Sequence, residues 1–101
     1  MVTYPIRIVW DKTAVHSFEN AISYIGEDSP GNPEKVKKRI QKKVDDLLKH
    51  PKRHQLDKLK TDNDGNYRVF IESSYRVSYL ISEQEIIIIR VRHCSMEPLE
   101  Y

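Results

Sequence analysis

The chain has 101 residues, 39% of them hydrophobic and 32% charged, which suits one domain, residues 1–101, with a single modest core. Its one cysteine, Cys94, excludes an intramolecular disulfide and fits a reducing compartment. The longest apolar run, residues 86–89, is far too short to span a bilayer, so no membrane partner is expected. The net charge of +2 conceals an uneven distribution: residues 34–60 carry eleven of the 17 Lys and Arg against only Glu34, Asp45, Asp46 and Asp57. Such a local positive field favours nucleic acid or an acidic protein partner, although a solvated helix face produces the same count.

Residues 2–10 place Val2, Tyr4, Ile6, Ile8 and Trp10 on one parity, predicting a first strand with one buried face. The alternation around Pro5 and Arg7 is unlike a secretory leader, so a soluble, cytoplasmic protein is expected. Asp11 or Thr13 can cap the helix that follows, whose apolar stripe is Val15, Phe18, Ala21, Ile22 and Ile25. Gly26 to Gly31, with Ser29-Pro30 between them, breaks this helix. Asn32-Pro33-Glu34 starts a second, with Asn as N-cap and Pro at the first helical position.

The second helix should run to about His50, ahead of Pro51, with Val36, Ile40, Val44, Leu47 and Leu48 inward and lysines elsewhere. The two helices make an αα-hairpin. Residues 51–60 read as an irregular basic link with Leu56 and Leu59 pinned inward, and residues 62–66 as a turn. Strands are expected over 67–72, 75–81 and 86–92, the last, with its four isoleucines, being the most covered. The predicted class is α+β: an N-terminal strand, an αα-hairpin, then a three-stranded antiparallel meander, with the helices packed on one face of the sheet.

Four scattered histidines (16, 50, 54 and 93) offer no metal-ligand spacing, and no cofactor is expected. If Ser73-Ser74 is a two-residue hairpin loop, Glu72 pairs with Tyr75 and Arg68 with Tyr79, which puts Arg68 and Arg76 on opposite faces. At most one of these arginines would then belong to any working site.

An ordered set of features resembles the RelE/ParE superfamily of bacterial toxins, of the plasmid stabilisation type. The set comprises Trp10 closing the first strand, Ala14 and Ala21-Ile22-x-Tyr24-Ile25, the Ser29-Pro30 break, Leu47-Leu48-x-x-Pro51, Leu59-Lys60, Tyr67-Arg68, Tyr75-Arg76-Val77-x-Tyr79 and Val91-Arg92-His93. The resemblance implies the toxin of a type II toxin–antitoxin module, held inactive by a cognate antitoxin and occupying operator DNA through it. ParE-like members poison DNA gyrase, and the long helical hairpin resembles that branch. RelE-like members cut mRNA on the ribosome, a metal-independent endoribonuclease activity.

Were the chain a nuclease, its candidates would be Arg76, Arg68, His93 and Tyr101. Arg76 matches the phosphate-contacting strand arginine of RelE-like members, and Arg68 a strand lysine. Tyr101 falls near a base-stacking tyrosine but at a chain end expected to fray. His93 is a candidate acid or base, although ParE-like members that are not nucleases also carry histidine there. A second family lysine falls at Phe70 and a family arginine at Ser95, so the cationic cluster is depleted. Lys38, Lys42, Lys52, Arg53 and His54 are candidate contacts to nucleic acid or a partner, and Tyr24, Tyr75 and Tyr79 candidate antitoxin anchors. The third alternative is an inactive relative that only binds antitoxin.

Overall fold

The computed structural model describes residues 7–28, 33–96 and 98–101, the side chains of 24–28 excepted. The element order is β1 (Arg7–Trp10), α1 (Lys12–Asp28), α2 (Pro33–Asp46), β2 (Gln55–Leu56), β3 (Tyr67–Glu72), β4 (Tyr75–Ile81) and β5 (Glu85–His93). The five strands form one mixed sheet in the order β1-β5-β4-β3-β2, with β1 parallel to β5 and the other pairs antiparallel. Both helices pack on one face of this sheet, giving the α+β architecture. Among the described residues no helix is long and apolar enough to cross a membrane.

Asp11 is the N-cap of α1: its carboxylate accepts a hydrogen bond from the Thr13 N–H at 3.1 Å. The buried stripe of α1 begins at Ala14 and Phe18. Val15, expected inside, is 37% exposed, because a wholly buried Ala14 takes the place nearest the sheet and turns its neighbour outward. The predicted break at Gly26 falls two residues early, since α1 continues to Asp28. The expected strand residues 2–6, the Ser29-Pro30 break and the Asn32 cap lie outside the described residues. From α2, Ile40, Val44 and Leu47 enter the core, and a turn through His50 closes the helix ahead of Pro51.

The link after α2 is more ordered than its composition suggests. Gln55 and Leu56 pair with Val69 and Arg68 as a short edge strand. Leu56, expected inside, is 46% exposed, because at this margin the helical layer no longer covers the sheet. The Arg68 guanidinium fastens the link by donating to the carbonyls of His54 at 2.9 Å, Lys52 at 3.3 Å and Gly65 at 3.3 Å. The Asn63 amide secures the next turn, donating to the carbonyls of Asp57 and Tyr67 and accepting from the N–H groups of Gly65 and Tyr67. Gly65, with φ of 99°, supplies the left-handed backbone this turn requires.

The hairpin between β3 and β4 turns on Ser73 and Ser74, both left-handed with φ of 51° and 68°, the signature of a type I′ turn. It sets the register Glu72 to Tyr75 and Arg68 to Tyr79. β4, rather than the isoleucine-rich β5, is the central strand; β5 lies between it and β1. A bulge interrupts the β4–β5 ladder: Ser78 pairs with Arg90 but Tyr79 with Ile88. It switches the parity of β5. Ile86 and Ile88 face the helices before it, Val91 and His93 after it, so Arg90 and Arg92 turn to the opposite, helix-free face.

Candidate functional site

The helix-free face of the sheet carries a polar cluster built from three distant segments. β4 contributes Arg76 and Ser78, and β5 places Arg92 across from Arg76 and Arg90 across from Ser78. Asp57, in the first residue after β2, is the one buried carboxylate among the described residues, with 1% of its surface exposed. Its Oδ1 accepts from the Arg76 guanidinium at 2.8 Å and from the Leu59 N–H at 3.1 Å. Its Oδ2 accepts from the Tyr101 hydroxyl at 2.6 Å.

Residues 98–101 cross this face as an extended tail. The Tyr101 N–H donates to the Leu59 carbonyl at 2.9 Å, and the Thr61 N–H donates to the Tyr101 carbonyl at 2.6 Å. The Arg90 guanidinium lies 4.1 Å from the centre of the Tyr101 ring and donates to the Leu99 carbonyl. The Lys60 ammonium sits over Tyr67 and Tyr101. Tyr101, expected to fray, is therefore held by two backbone bonds, a buried hydroxyl and two cations.

The electrostatics keep these groups in single protonation states near neutral pH. Burial pushes the Asp57 carboxyl up, but hydrogen bonds from Tyr101, Arg76 and the Leu59 N–H outweigh it, and the net shift is below the usual 3.8. Ser78 Oγ lies near enough to add to this, although outside hydrogen-bonding geometry. The Tyr101 phenol is pushed well above its ordinary 10.0 by burial and by its bond to Asp57. Burial lowers Arg90, and the neighbouring charges of Arg92 and Arg76 contribute in the same direction. Asp57 thus stays ionised and Tyr101 stays a donor near pH 7, each engaged by the other and each shifted away from the neutral range that suits proton transfer best.

The four nuclease candidates are divided between the two faces of the sheet. Arg76 and Tyr101 share Asp57 on the open face. Arg68 and His93 project to the helix side, and the guanidinium groups of Arg68 and Arg76 do not converge. His93, at the far end of β5, accepts the Ser95 N–H at Nδ1 and lies edge-on to Tyr75, with ring centres 4.9 Å apart. Beside it is a cavity of about 300 Å³ lined by Ser17, Asn20, Ala21, Tyr75, Val91 and His93 among others.

Of the partner-binding candidates, Lys38 and Lys42 are exposed on α2, and Lys52 and Arg53 on the link. His54 is half-buried against Phe70 and Tyr79; burial, Lys43 and Arg53 lower its pKa below 6.5. Tyr75 and Tyr79 are core residues whose hydroxyls donate to the Ala21 and Pro51 carbonyls, at 3.1 and 2.9 Å, pinning the sheet to the middle of α1 and to the turn after α2. Burial pushes the Tyr79 phenol up to about 12. Tyr24 falls where side chains are outside the described residues. Sequence reasoning missed Asp57, Ser78, Arg90 and Arg92 as site residues; the Arg-x-Arg pair after the isoleucine run was the one available signal.

The same arrangement of strands and helices occurs in solved toxin–antitoxin structures. The chain is similar to one in the chromosomal ParDE system from P. aeruginosa, with TM-score 0.67, 14% identity, and 92% of this chain and 98% of that one covered. It is also similar to a chain of the toxin–antitoxin complex RelBE2 from Mycobacterium tuberculosis, with TM-score 0.56, 20% identity, and 92% and 93% covered. At these identities the likeness is one of fold. No curated protein matches the chain in sequence. Residues 8–98 match the family model of the ParE toxin of type II toxin–antitoxin systems (parDE), and the chain therefore belongs to the ParE toxin family within the RelE/ParE superfamily.

Proposed function

We propose that this toxin acts by binding DNA gyrase, with no chemistry of its own, and that a cognate antitoxin neutralises it in the cytoplasm and carries it to operator DNA. The carrying observation is the division of Arg76 and Tyr101 from Arg68 and His93 by the sheet. Cleavage through a 2′-hydroxyl needs a base, an acid and cations gathered around one phosphate. Here Arg76 stands on one face and the imidazole on the other. Asp57 and Tyr101 are hydrogen-bonded to each other, with pKa values displaced in opposite directions, away from neutrality. A gyrase-binding toxin requires none of that convergence, and the ParE family match supports the same branch.

Arg76 and Tyr101 standing together favours, as a second reading, ribosome-dependent mRNA cleavage. Pulse-labelling DNA and protein synthesis within minutes of induction, paired with a gyrase supercoiling assay on purified toxin, separates the two. The expected result is early loss of DNA synthesis and direct inhibition of supercoiling. Protein synthesis failing first, with gyrase untouched, would replace this reading with the nuclease. No growth defect at all would leave a relative that only binds antitoxin.

A further inference from the structure

The charge of the chain is divided between two regions. Residues 34–60 carry a surplus of seven positive charges, from eleven Lys and Arg against four Asp and Glu. The rest of the chain carries an excess of five negative charges, from six Lys and Arg against eleven Asp and Glu. Such a molecule turns one region toward a polyanion and the other away, a polarity that its net charge of +2 conceals.

The geometry of α2 sharpens the surplus into a stripe. Lys35, Lys38, Arg39 and Lys42 fall at i, i+3, i+4 and i+7, on one side of the helix, and all four are exposed. Ile40 and Val44, buried on another side, fix the helix to the core and so hold the stripe in place. Its members are like charges three and four residues apart, an arrangement that destabilises a helix. A face that is merely solvated usually alternates its signs. Here Asp45 and Asp46 come only where the stripe ends. Among the described residues no ion pair engages Lys38, Arg39 or Lys42. Lys43 differs: it pairs with Glu72 at 3.7 Å and lies over the Phe70 ring. The helix thus ties itself to the sheet with one cation and directs the others outward.

We propose that the face of α2 bearing Lys38, Arg39 and Lys42 grips the phosphate backbone of duplex DNA, and that this DNA is the segment gyrase holds while the toxin is bound to it. From Lys35 to Lys42 the stripe is about 10 Å long, which matches about three phosphates of one strand, spaced about 3.4 Å along the duplex axis. Residues 34–53 hold no Phe, Tyr or Trp. The stacking platform that holds unpaired bases is therefore missing, and a duplex backbone suits the stripe better than a single strand. Three of its four cations are lysines, compact charges on flexible stems that follow phosphates of any sequence. That suits DNA met through another protein, whatever its sequence, better than an operator read base by base. The choice of gyrase-held DNA rests on the proposed target; the phosphate-binding face does not.

The test follows the fluorescence anisotropy of a labelled, scrambled DNA duplex of about 20 base pairs with the full chain, between about 50 and 200 mM salt. For the parent, log K should fall against log salt with a slope of about −3. Lys38→Gln with Lys42→Gln keeps good helix formers at exposed positions and relieves repulsion, so it should melt no lower than the parent. It should bind at least about tenfold more weakly at the lowest salt, with a slope shallower by about 2. Lys12→Gln with Lys58→Gln removes the same charge at exposed positions off the stripe, and should bind within about threefold of the parent. In a supercoiling assay the stripe variant should inhibit about tenfold less well, while still capturing DNA-free gyrase as the parent does.

Undiminished duplex binding by the stripe variant, or an equal loss in the off-stripe variant, would make the face ordinary solvated surface. A single-stranded RNA of the same length binding more tightly than the duplex would overturn the proposal in favour of an RNA face. Loss of duplex binding with supercoiling inhibition intact would refute the gyrase-held segment. A parent that binds duplex through the stripe yet spares gyrase sinks the proposed target and leaves the phosphate-binding face standing.

Discussion

Replacing Asp57 by alanine measures how far one carboxylate holds the open face together. The side chain is buried and accepts hydrogen bonds from Arg76, Tyr101 and the Leu59 N–H. Removing one member of a buried ion pair costs about 3–5 kcal/mol, because the remaining charge is stranded. The Arg76 side chain keeps 23% of its surface exposed and can recover part of its hydration, so the lower figure applies, about 3 kcal/mol. For a chain of this size that lowers Tm by about 12 °C or more. The same substitution in an Arg76→Leu background strands no charge and should cost only about 1 kcal/mol, leaving a coupling of about 2 kcal/mol. Urea unfolding of the four proteins gives this cycle directly. A coupling near zero, with Asp57→Ala equally costly in both backgrounds, would refute the view that the ion pair secures the face.

The turn at Ser73 and Ser74 holds two non-glycine residues in left-handed backbone, so Ser73→Asn with Ser74→Gly should stabilise the chain by about 1 kcal/mol in urea unfolding. The Ser17 hydroxyl accepts the Val91 N–H at 3.1 Å, so Ser17→Ala should cost about 1–2 kcal/mol and raise hydrogen exchange at the Val91 amide selectively. The Asp57 carboxyl is depressed, so its stabilisation is complete above the unfolded value of 3.8 and is lost as pH falls through the lower folded value. The Tyr101 phenol is raised, so its contribution holds below 10.0 and is lost as pH climbs through the folded value. Protection of the Thr61 amide should therefore be level between those limits and fall outside them. In ultraviolet titration Tyr79 and Tyr101 should ionise above the ordinary phenol value of 10.0.

The architecture was legible because local signals agreed with one another. Two residues between runs of alternating character specify both a hairpin and its register, and Ser73-Ser74 delivered both. The inward positions of α2 followed from spacing alone. The site was less legible, for a consistent reason. Asp57 is buried by Tyr101, 44 positions away, and paired with Arg76, 19 positions away. No local pattern marks a residue whose surroundings arrive from elsewhere in the chain. Leu56 misled for the converse reason: an apolar residue turns inward only where something covers it. Arg90 and Arg92 stayed hidden because strict alternation from Ile86 and Ile88 assigns them to the core face, and only the bulge moves them.

That bulge behaves like a frameshift written in space. Upstream of it, the even-numbered residues of β5 belong to the protein's interior; downstream, the odd-numbered ones do. One surplus residue thus lets a single strand serve as hydrophobic floor at one end and as charged surface at the other. Deleting Ile89 would remove no hydrogen-bonding or charged side chain. It would leave plain alternation, with Ile88 and Val91 still toward the helices and Arg90 and Arg92 still outward, so the chain should fold with β5 unbulged. Keeping all the residues but losing the bulge is what would turn both arginines inward. In this strand the bulge, as much as residue identity, decides which side of the sheet each side chain meets.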